Sequence, residues 1–309
     1  MTELTPTTIY FNSADGKNTV SGWIYIPDMT PIAVVQISHG MCEYLARYEP
    51  FIQDLLELGF VVCGHDHIGH GASSRPEEYG YFGAKNGCQN LVEDLHTMTM
   101  MVKRAYPDLP FFLFGHSMGS FIARLYSAKY NDCLTGAIFC GTGGPDPMAA
   151  MGIVACSITS LFCGRMYRSK KLDQLAFGKF NRKIENPRTS KDWLTRKPEI
   201  VDRYLADPQC TFLFTASGYK DLSKLSFSAN KKSWFRGIDP DLPILLVAGE
   251  ADPVGNYGIG VKEVYQNLKT AGVRDVSLKL YPDARHELVN ERNYQTVFSD
   301  LTNWLFDHI

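Results

Sequence analysis

A serine flanked by glycines is the residue in this sequence most able to do chemistry. Ser117 is the centre of Gly115-His116-Ser117-Met118-Gly119, which follows the apolar run 111–114 and precedes a helix-like segment. The order strand, sharp turn, helix exposes the serine oxygen at the tip of the turn, and the glycines leave room for the adjoining strand and helix. The pattern predicts a nucleophile, which requires a base to take its proton.

An acid and a base follow downstream, each just beyond an apolar run that predicts a strand. Asp252 lies in the loop after the run 243–248, and His286 ends the turn after the alternating segment 276–281. Glu250 is the other acid of the first loop, and we interpret it as structural because it lies nearer the strand end. The chain order serine, acid, histidine is the order that α/β-hydrolases use.

Stabilisation of an oxyanion requires backbone N–H groups close to the serine. One candidate is the amide of Met118, directly after the nucleophile, and the other is the amide of Met41, in the loop after the predicted strand 32–37. Backbone donors of this kind survive substitution of the side chains that carry them.

The elements that must position these residues alternate between strand and helix signals. An N-terminal hairpin around Asp15-Gly16 is followed by strands near 32–37, 60–63, 111–114 and 137–140, with helices near 47–58 and 91–106. Such alternation predicts an α/β fold with a mostly parallel central sheet flanked by helices. Ligands of such sheets bind at the carboxyl ends of the strands, where all the candidate residues fall.

Between residues 144 and 243 the alternation stops and helical patterns replace it. We therefore expect an α/β-hydrolase core formed by residues 1–144 and 243–309, with residues 145–242 forming a helical cap, or lid, over the site. The charge-free run 148–164 is too short to be a good membrane span. Its apolar side chains, Phe162 among them, are predicted to line an acyl pocket or to make transient membrane contact, the alternative being that they pack the cap against itself.

Several ordered motifs together resemble one family. The motifs are His39-Gly40-Met41-Cys42-Glu43, Arg47-Tyr48, the segment 65–73, the serine motif and Ala284-Arg285-His286-Glu287. In this combination they resemble the monoacylglycerol lipase and lysophospholipase group of serine hydrolases, over nearly the whole chain outside the middle segment. The resemblance implies a triad of Ser117, Asp252 and His286, an oxyanion hole at Met41 and Met118, and a fatty-acid carboxyl ester as substrate, with no cofactor and no metal.

The resemblance also implies contacts to the substrate. Glu43 and Arg47 match residues that hold the glycerol headgroup in monoacylglycerol lipase, whereas the third position of that set, a histidine in the family, is Val289 here. The alternative for Glu43 and Arg47 is an ordinary ion pair between residues four apart. The chain also departs from the family pattern at Cys42, where glycine is usual, and at Tyr44, where histidine is usual.

Composition bounds the remaining possibilities. A formal charge of −2 and a pI near 6.4 give no electrostatic reason to expect a nucleic-acid partner. The N-terminus lacks a basic region followed by an apolar one, so we expect no signal peptide. The eight cysteines have no metal or disulfide spacing and predict a cytoplasmic protein with reduced thiols. We interpret the histidines of the segment 65–70 as structural hydrogen-bonding groups and not as metal ligands.

Three alternatives to an esterase stay open at this point. A prolyl-type aminopeptidase shares the fold but needs an acidic subsite for a free amine. A thioesterase uses the same machinery with a different leaving group. A ligand receptor would keep the pocket without turnover, although a pure binder does not need all the catalytic elements.

Overall fold

The computed structural model describes residues 5–309, within which one sheet of eight strands forms the centre of the molecule. The strands are β1 (Thr7–Asn12), β2 (Thr19–Tyr25), β3 (Ala33–Ser38), β4 (Phe60–His65), β5 (Phe111–His116), β6 (Gly136–Cys140), β7 (Ile244–Gly249) and β8 (Val276–Tyr281). Their spatial order is β1-β2-β4-β3-β5-β6-β7-β8. The β1–β2 and β2–β4 pairs are antiparallel, and every other pair is parallel. Residues 1–4, the beginning of the predicted core segment, lie outside the described residues.

The helices lie between these strands. They are α1 (Glu49–Glu57), α2 (Gly87–Ala105), α3 (Met118–Lys129), α4 (Pro147–Cys163), α5 (Lys170–Phe177), α6 (Pro198–Ala206), α7 (Ala216–Ala229), α8 (Lys232–Gly237), α9 (Ile259–Ala271) and α10 (Tyr294–Phe306). The predicted α/β class with a mostly parallel sheet is confirmed.

The central strands are apolar runs because both of their faces are covered. Every residue of β3 to β7 is buried, as expected for parallel strands between two helical layers. Adjacent residues point to opposite faces, so Val34 joins the core cluster of one face and Val35 that of the other. This rigid sheet holds the loops at its carboxyl edge in place.

Several element boundaries differ from the predictions by one to four residues, and the extensions of β4 and α2 are two examples. Strand β4 continues to His65 instead of ending at Cys63, because it pairs with β2 and Gly22 lies opposite His65. Helix α2 begins at Gly87, four residues before the predicted start, after Asn86 takes a left-handed conformation with φ 56°. Both extensions contain polar residues, which the apolar pattern does not detect.

Residues 145–242 contain α4 to α8 and separate β6 from β7; we call this segment the insertion. Helix α4 starts where Asp146 accepts a hydrogen bond from the Met148 amide at 2.9 Å, with proline at its first position, and it ends at Gly164, which has φ 89°. None of the helices in residues 5–309 combines the length and apolar character that a membrane span requires.

Candidate active site

Ser117 occupies the sharp turn that joins β5 to α3. Its φ of 54° and ψ of −119° are unusual for a residue with a side chain, and its amide donates to the Cys140 carbonyl at 3.0 Å. A Cβ on Gly119 would lie 2.0 Å from the Ser38 carbonyl oxygen, so only glycine fits there. The turn therefore presents a partly exposed serine from a strained backbone, as the sequence motif predicts.

His286 and Asp252 form a buried hydrogen-bonded pair. The His286 Nδ1 lies 2.9 Å from Asp252 Oδ2, and the other carboxylate oxygen accepts from the Val254 amide at 2.8 Å. Because a carboxylate only accepts, Nδ1 must donate, which leaves Nε2 of a neutral imidazole free to take a proton. Glu250, the other acid of this loop, is exposed, which argues against its being the partner of His286.

The pair and the serine adjoin the same short segment at the carboxyl edge of the sheet. The Ser117 amide bonds to Cys140, and a Cβ on the next residue, Gly141, would lie 3.1 Å from His286 Cε1. The indole ring of Trp193, from the insertion, lies with its centroid 5.1 Å from that of the imidazole. Residues from β5, β7 and β8 thus meet although they are far apart in the chain.

Both candidate oxyanion donors belong to segments that adjoin this serine. Met118 is the first residue of α3, so its N–H has no acceptor within the helix. Met41 follows Gly40, at which a Cβ would lie 3.0 Å from Ser117 Cβ. The loop that carries Met41 is therefore packed against the serine turn, and the role of both amides stays a prediction.

A buried carboxylate holds the loop of Met41 in place. Glu43 accepts hydrogen bonds from the Gly40 amide, from Tyr48 Oη at 2.8 Å and from Arg47 Nη1 at 2.9 Å, and it lies 3.0 Å from His116 Nδ1. Burial alone would raise the pKa of Glu43, but the neighbouring His116 and Arg47 outweigh it and lower the pKa. Burial opposes a charge on His116 as well, yet Glu43 raises the pKa of its imidazole. Both shifts favour an imidazolium paired with a carboxylate.

Arg47 links this loop to the loop of His286. Its Nη1 and Nη2 lie 3.1 and 3.0 Å from the two carboxylate oxygens of Glu287, and Asn290 Nδ2 donates to the same carboxylate at 2.9 Å. Burial would lower the pKa of Arg47, but Glu287 and Glu43 raise it. Sequence reasoning gave Glu287 no functional role, although it lies directly after the predicted base and closes the motif Ala284-Arg285-His286-Glu287.

The predicted substrate contacts occupy different surroundings. The polar atoms of Glu43 and Arg47 are bonded within the protein, and Val289 is buried beside the His286 loop. Phe162 lies at the end of α4 with 80% of its surface exposed. Their contacts with a substrate stay predictions.

Cys42 and Tyr44, which depart from the family pattern, connect the Met41 loop to the insertion. Cys42 has φ 54°, a conformation that favours glycine, and its buried thiol donates to the Phe212 carbonyl at 3.3 Å. Burial raises the pKa of this thiol to about 12. Tyr44 donates from Oη to Asp207 at 2.7 Å. These contacts fasten the loop to a part of the insertion that lies far away in sequence.

The histidines of the segment 65–70 lie buried beneath this loop with His39. Ring centroids of His39 and His67 are 4.4 Å apart, and the His67 amide donates to His39 Nε2 at 2.9 Å. Burial lowers the pKa of His65 to about 3 and lowers that of His67 and His70 as well. Across residues 5–309 no group of three or more His, Cys, Asp or Glu side chains is arranged to hold a metal ion.

Comparison with known proteins finds one matching family model and relatives that are named as lipases. Residues 29–293 match the family model described as Serine aminopeptidase, S33. The chain is 28% identical to a monoacylglycerol lipase of Mycolicibacterium smegmatis over 93% of this chain and 92% of that protein. It is 28% identical to the human monoglyceride lipase over 90% and 84%, respectively.

A solved structure is similar to this chain over nearly its whole length. The crystal structure of a highly thermostable carboxyl esterase from Bacillus coagulans, in complex with glycerol, superposes with a TM-score of 0.93 and is 33% identical, covering 99% of each chain. The predicted α/β-hydrolase fold and the predicted ester-hydrolysing function of a serine hydrolase are confirmed. The chain belongs to the Serine aminopeptidase S33 family and is a carboxylic ester hydrolase of the α/β-hydrolase fold with monoacylglycerol lipase-like relatives.

Proposed function

We propose that this protein hydrolyses carboxyl esters of apolar acyl chains, with monoacylglycerols as the substrate class, through an acyl-enzyme formed on Ser117. The observation that carries the proposal is the buried His286–Asp252 pair, which adjoins the strained Ser117 turn at the carboxyl edge of the sheet. Relatives named as monoacylglycerol or monoglyceride lipases support the substrate class.

The geometry supports the following mechanism. His286 Nε2 removes the Ser117 proton while Asp252 holds the imidazole through Nδ1, and the serine oxygen attacks the ester carbonyl. The amides of Met41 and Met118 stabilise the negative oxygen of the tetrahedral intermediate. The imidazolium then protonates the leaving alcohol, and water repeats these steps on the acyl-enzyme to release the acid.

We assign the insertion the role of the predicted cap, residues 145–242. Trp193 contacts the His286 ring from this segment, which supports its placement over the site. On the outer side of α4, Leu161 and Phe162 are each 80% exposed, and Lys170 and Lys171 follow. Exposed apolar side chains followed in the sequence by exposed cations favour transient contact with a lipid surface, from which an apolar ester would enter.

An aminopeptidase is the less supported alternative. It would need an unpaired carboxylate near the serine to hold a free amine. Glu43 and Glu287 are buried close to the site, but both are already paired with Arg47. Their charges are therefore compensated before any substrate binds.

The proposed cytoplasmic location rests on the cysteines. All eight, which lie within residues 5–309, are free thiols, as is usual for proteins of reducing compartments.

Turnover of a p-nitrophenyl ester series from acetate to palmitate tests the proposal, alongside monoacylglycerols, lysophosphatidylcholine, an acyl thioester and proline naphthylamide. We expect activity to be highest on medium or long acyl esters, and Ser117→Ala to lower it by about a millionfold. Wild-type-like ester turnover in Ser117→Ala would refute the mechanism. Preference for the thioester or the naphthylamide would instead favour a thioesterase or an aminopeptidase, and the absence of turnover on every compound would favour a receptor.

A further inference from the structure

Arg124, on α3, is fully buried, and its hydrogen bonds go to uncharged oxygens. Nη1 donates to Thr142 Oγ1 at 3.2 Å and to the Gly143 carbonyl at 2.9 Å. Nη2 donates to Asn230 Oδ1 at 2.9 Å and to the Ala229 carbonyl. Within residues 5–309, no salt bridge joins this guanidinium to a carboxylate.

The positive charge of Arg124 is instead compensated by dipoles and a ring. Ala229 is the last residue of α7, where helix carbonyls lack partners and carry partial negative charge. The Trp234 ring of α8 lies 4.4 Å from the guanidinium carbon, and its indole N–H donates to the Arg124 carbonyl. Burial lowers the pKa of Arg124 to about 9, so the group is still a cation at neutral pH.

These partners lie just before the insertion and near its end. Gly143 leads from β6 towards α4, whereas Ala229 and Asn230 end α7. Asn230 Nδ2 also donates to the Gly144 carbonyl at 3.1 Å, so the segment before the insertion and the end of α7 are joined to each other as well as to Arg124. A single buried side chain thereby fastens the segment before the insertion and the final helices of the insertion to α3.

Stability alone is a poor reason for this arrangement. A buried charge without a carboxylate partner is costly, and apolar replacements of buried charged groups are often neutral or stabilising. The Nε of Arg124 has no hydrogen-bond partner. What a guanidinium offers, and an apolar side chain does not, is a fixed set of directional bonds to several segments at once.

The helix that carries Arg124 begins directly after Ser117, and the arginine lies about two turns further along it. We infer that Arg124 is a positioning residue that fixes the insertion relative to Ser117 and thereby sets the preference for long acyl chains. This inference rests on the proposed function, in which the insertion covers the acyl chain. It concerns chain-length selectivity and not the chemical step.

The test compares kcat and KM of Arg124→Met for p-nitrophenyl acetate and p-nitrophenyl laurate, well below the Tm of the variant. We expect the laurate-to-acetate ratio of kcat/KM to fall by about tenfold, mainly through KM for laurate, because only the long chain needs a positioned insertion. Arg236→Met is the control, since Arg236 is an exposed arginine on α8; its ratio should equal that of the wild type. An unchanged ratio in Arg124→Met, or an equal loss on both esters, would overturn the inference.

A second variant decides the matter if Arg124→Met does not fold. Asn230→Ala removes one acceptor of Arg124 and the bond to Gly144 while keeping the cation. We expect the same direction of change in the ratio, with faster hydrogen exchange in α4 and α7 and unchanged exchange in β3 to β6; a wild-type ratio would overturn the inference. Serine-independent turnover in Ser117→Ala would instead refute the proposed function, so the two failures are distinguishable.

Discussion

His116 Nδ1 lies 3.0 Å from Glu43 Oε1, and both side chains are buried at the carboxyl edge of the sheet. The same imidazole approaches the backbone carbonyl of His286 through Nε2 at 3.4 Å. The residue preceding the serine is thus one half of a buried His–Glu pair that contacts both the Met41 loop and the His286 loop. This relationship has a measurable dependence on pH.

The stability contributed by His116 should decline at high pH. Its pKa is higher in the folded than in the unfolded protein, so the contribution is complete below about pH 6.5 and is lost as pH rises through the folded pKa. Denaturant unfolding should show that His116→Gln costs about 3 to 5 kcal/mol near pH 6, and less at pH 9. His308→Gln, which removes a surface pair with Asp275, is the control and should cost under about 1 kcal/mol. A cost for His116→Gln that is constant with pH would contradict the ion-pair assignment.

Removal of the Asp252 charge should damage turnover more than stability. Asp252→Asn disrupts the acceptor for His286 Nδ1 and favours the wrong imidazole tautomer, so kcat should fall by about ten-thousandfold. The exposed Glu250 provides the matched control, and Glu250→Gln should keep kcat within about twofold. Circular dichroism should show both variants folded. A comparable loss in the two variants would argue against Asp252 as the acid of the triad.

Arg47→Met separates two roles of this arginine. Loss of the guanidinium breaks the buried ion pairs of Glu287 and Glu43, although Glu43 keeps its contacts with His116 and Tyr48, so kcat should fall for all esters. The predicted contact with a glycerol headgroup adds a rise in KM that a monoacylglycerol shows and a p-nitrophenyl ester of the same acid does not.

Kinetics on both esters measure these two effects separately. An unchanged KM for the monoacylglycerol would contradict the headgroup contact, and an unchanged kcat would contradict the structural link. Arg188→Met removes an exposed pair with Asp202 and serves as the control.

His65→Leu should stabilise the protein, increasingly so in acid. Both ring nitrogens of His65 are buried without a hydrogen-bond partner, which is costly. Since burial lowers its pKa to about 3, the unfolded chain binds a proton below about pH 6.5 that the folded protein does not. The increase in the free energy of unfolding caused by His65→Leu should therefore be about 2 kcal/mol larger at pH 5 than at pH 7.

Urea unfolding at the two pH values measures this gain. His67→Leu is the comparison, because His67 Nε2 is bonded to Ser38 at 3.0 Å and its loss leaves that hydroxyl unpaired. Destabilisation by His65→Leu at both pH values would show that the ring packs more favourably than its unpaired nitrogens suggest.

Membrane contact should depend on the outer end of α4. Leu161→Ser and Phe162→Ser each remove a large apolar side chain that is 80% exposed, and burial of such a side chain in lipid contributes about 1.5 to 3 kcal/mol. Sedimentation with phosphatidylcholine–phosphatidylserine vesicles should show binding weakened by about tenfold or more for each. Ile259→Ser, an exposed residue of α9 outside the insertion, should bind like the wild type. Equal binding by all variants would contradict the proposed contact.

Local sequence determined the Ser117 turn and most of the sheet. Segments such as 111–119 have few other possible conformations, because their glycines must accommodate the adjoining strand and their apolar runs must be buried. The proximity of Asp252 and His286 could be predicted because parallel strands bring their carboxyl ends to one edge. These properties depend on residue type and short spacing, which the sequence displays directly.

Only the tertiary structure decided which charged side chains pair with each other. Arg47 and Glu287 pair although they are 240 residues apart in the sequence. The spacing of Glu43 and Arg47 suggested an ordinary surface ion pair, and no local pattern predicts that Arg47 also pairs with Glu287. From the sequence, Arg124 is likewise one more residue of an amphipathic helix, although it binds the segment before the insertion and the end of α7. The physical reason is that burial and partner choice depend on the packing of distant segments, and side-chain electrostatics follow from that packing.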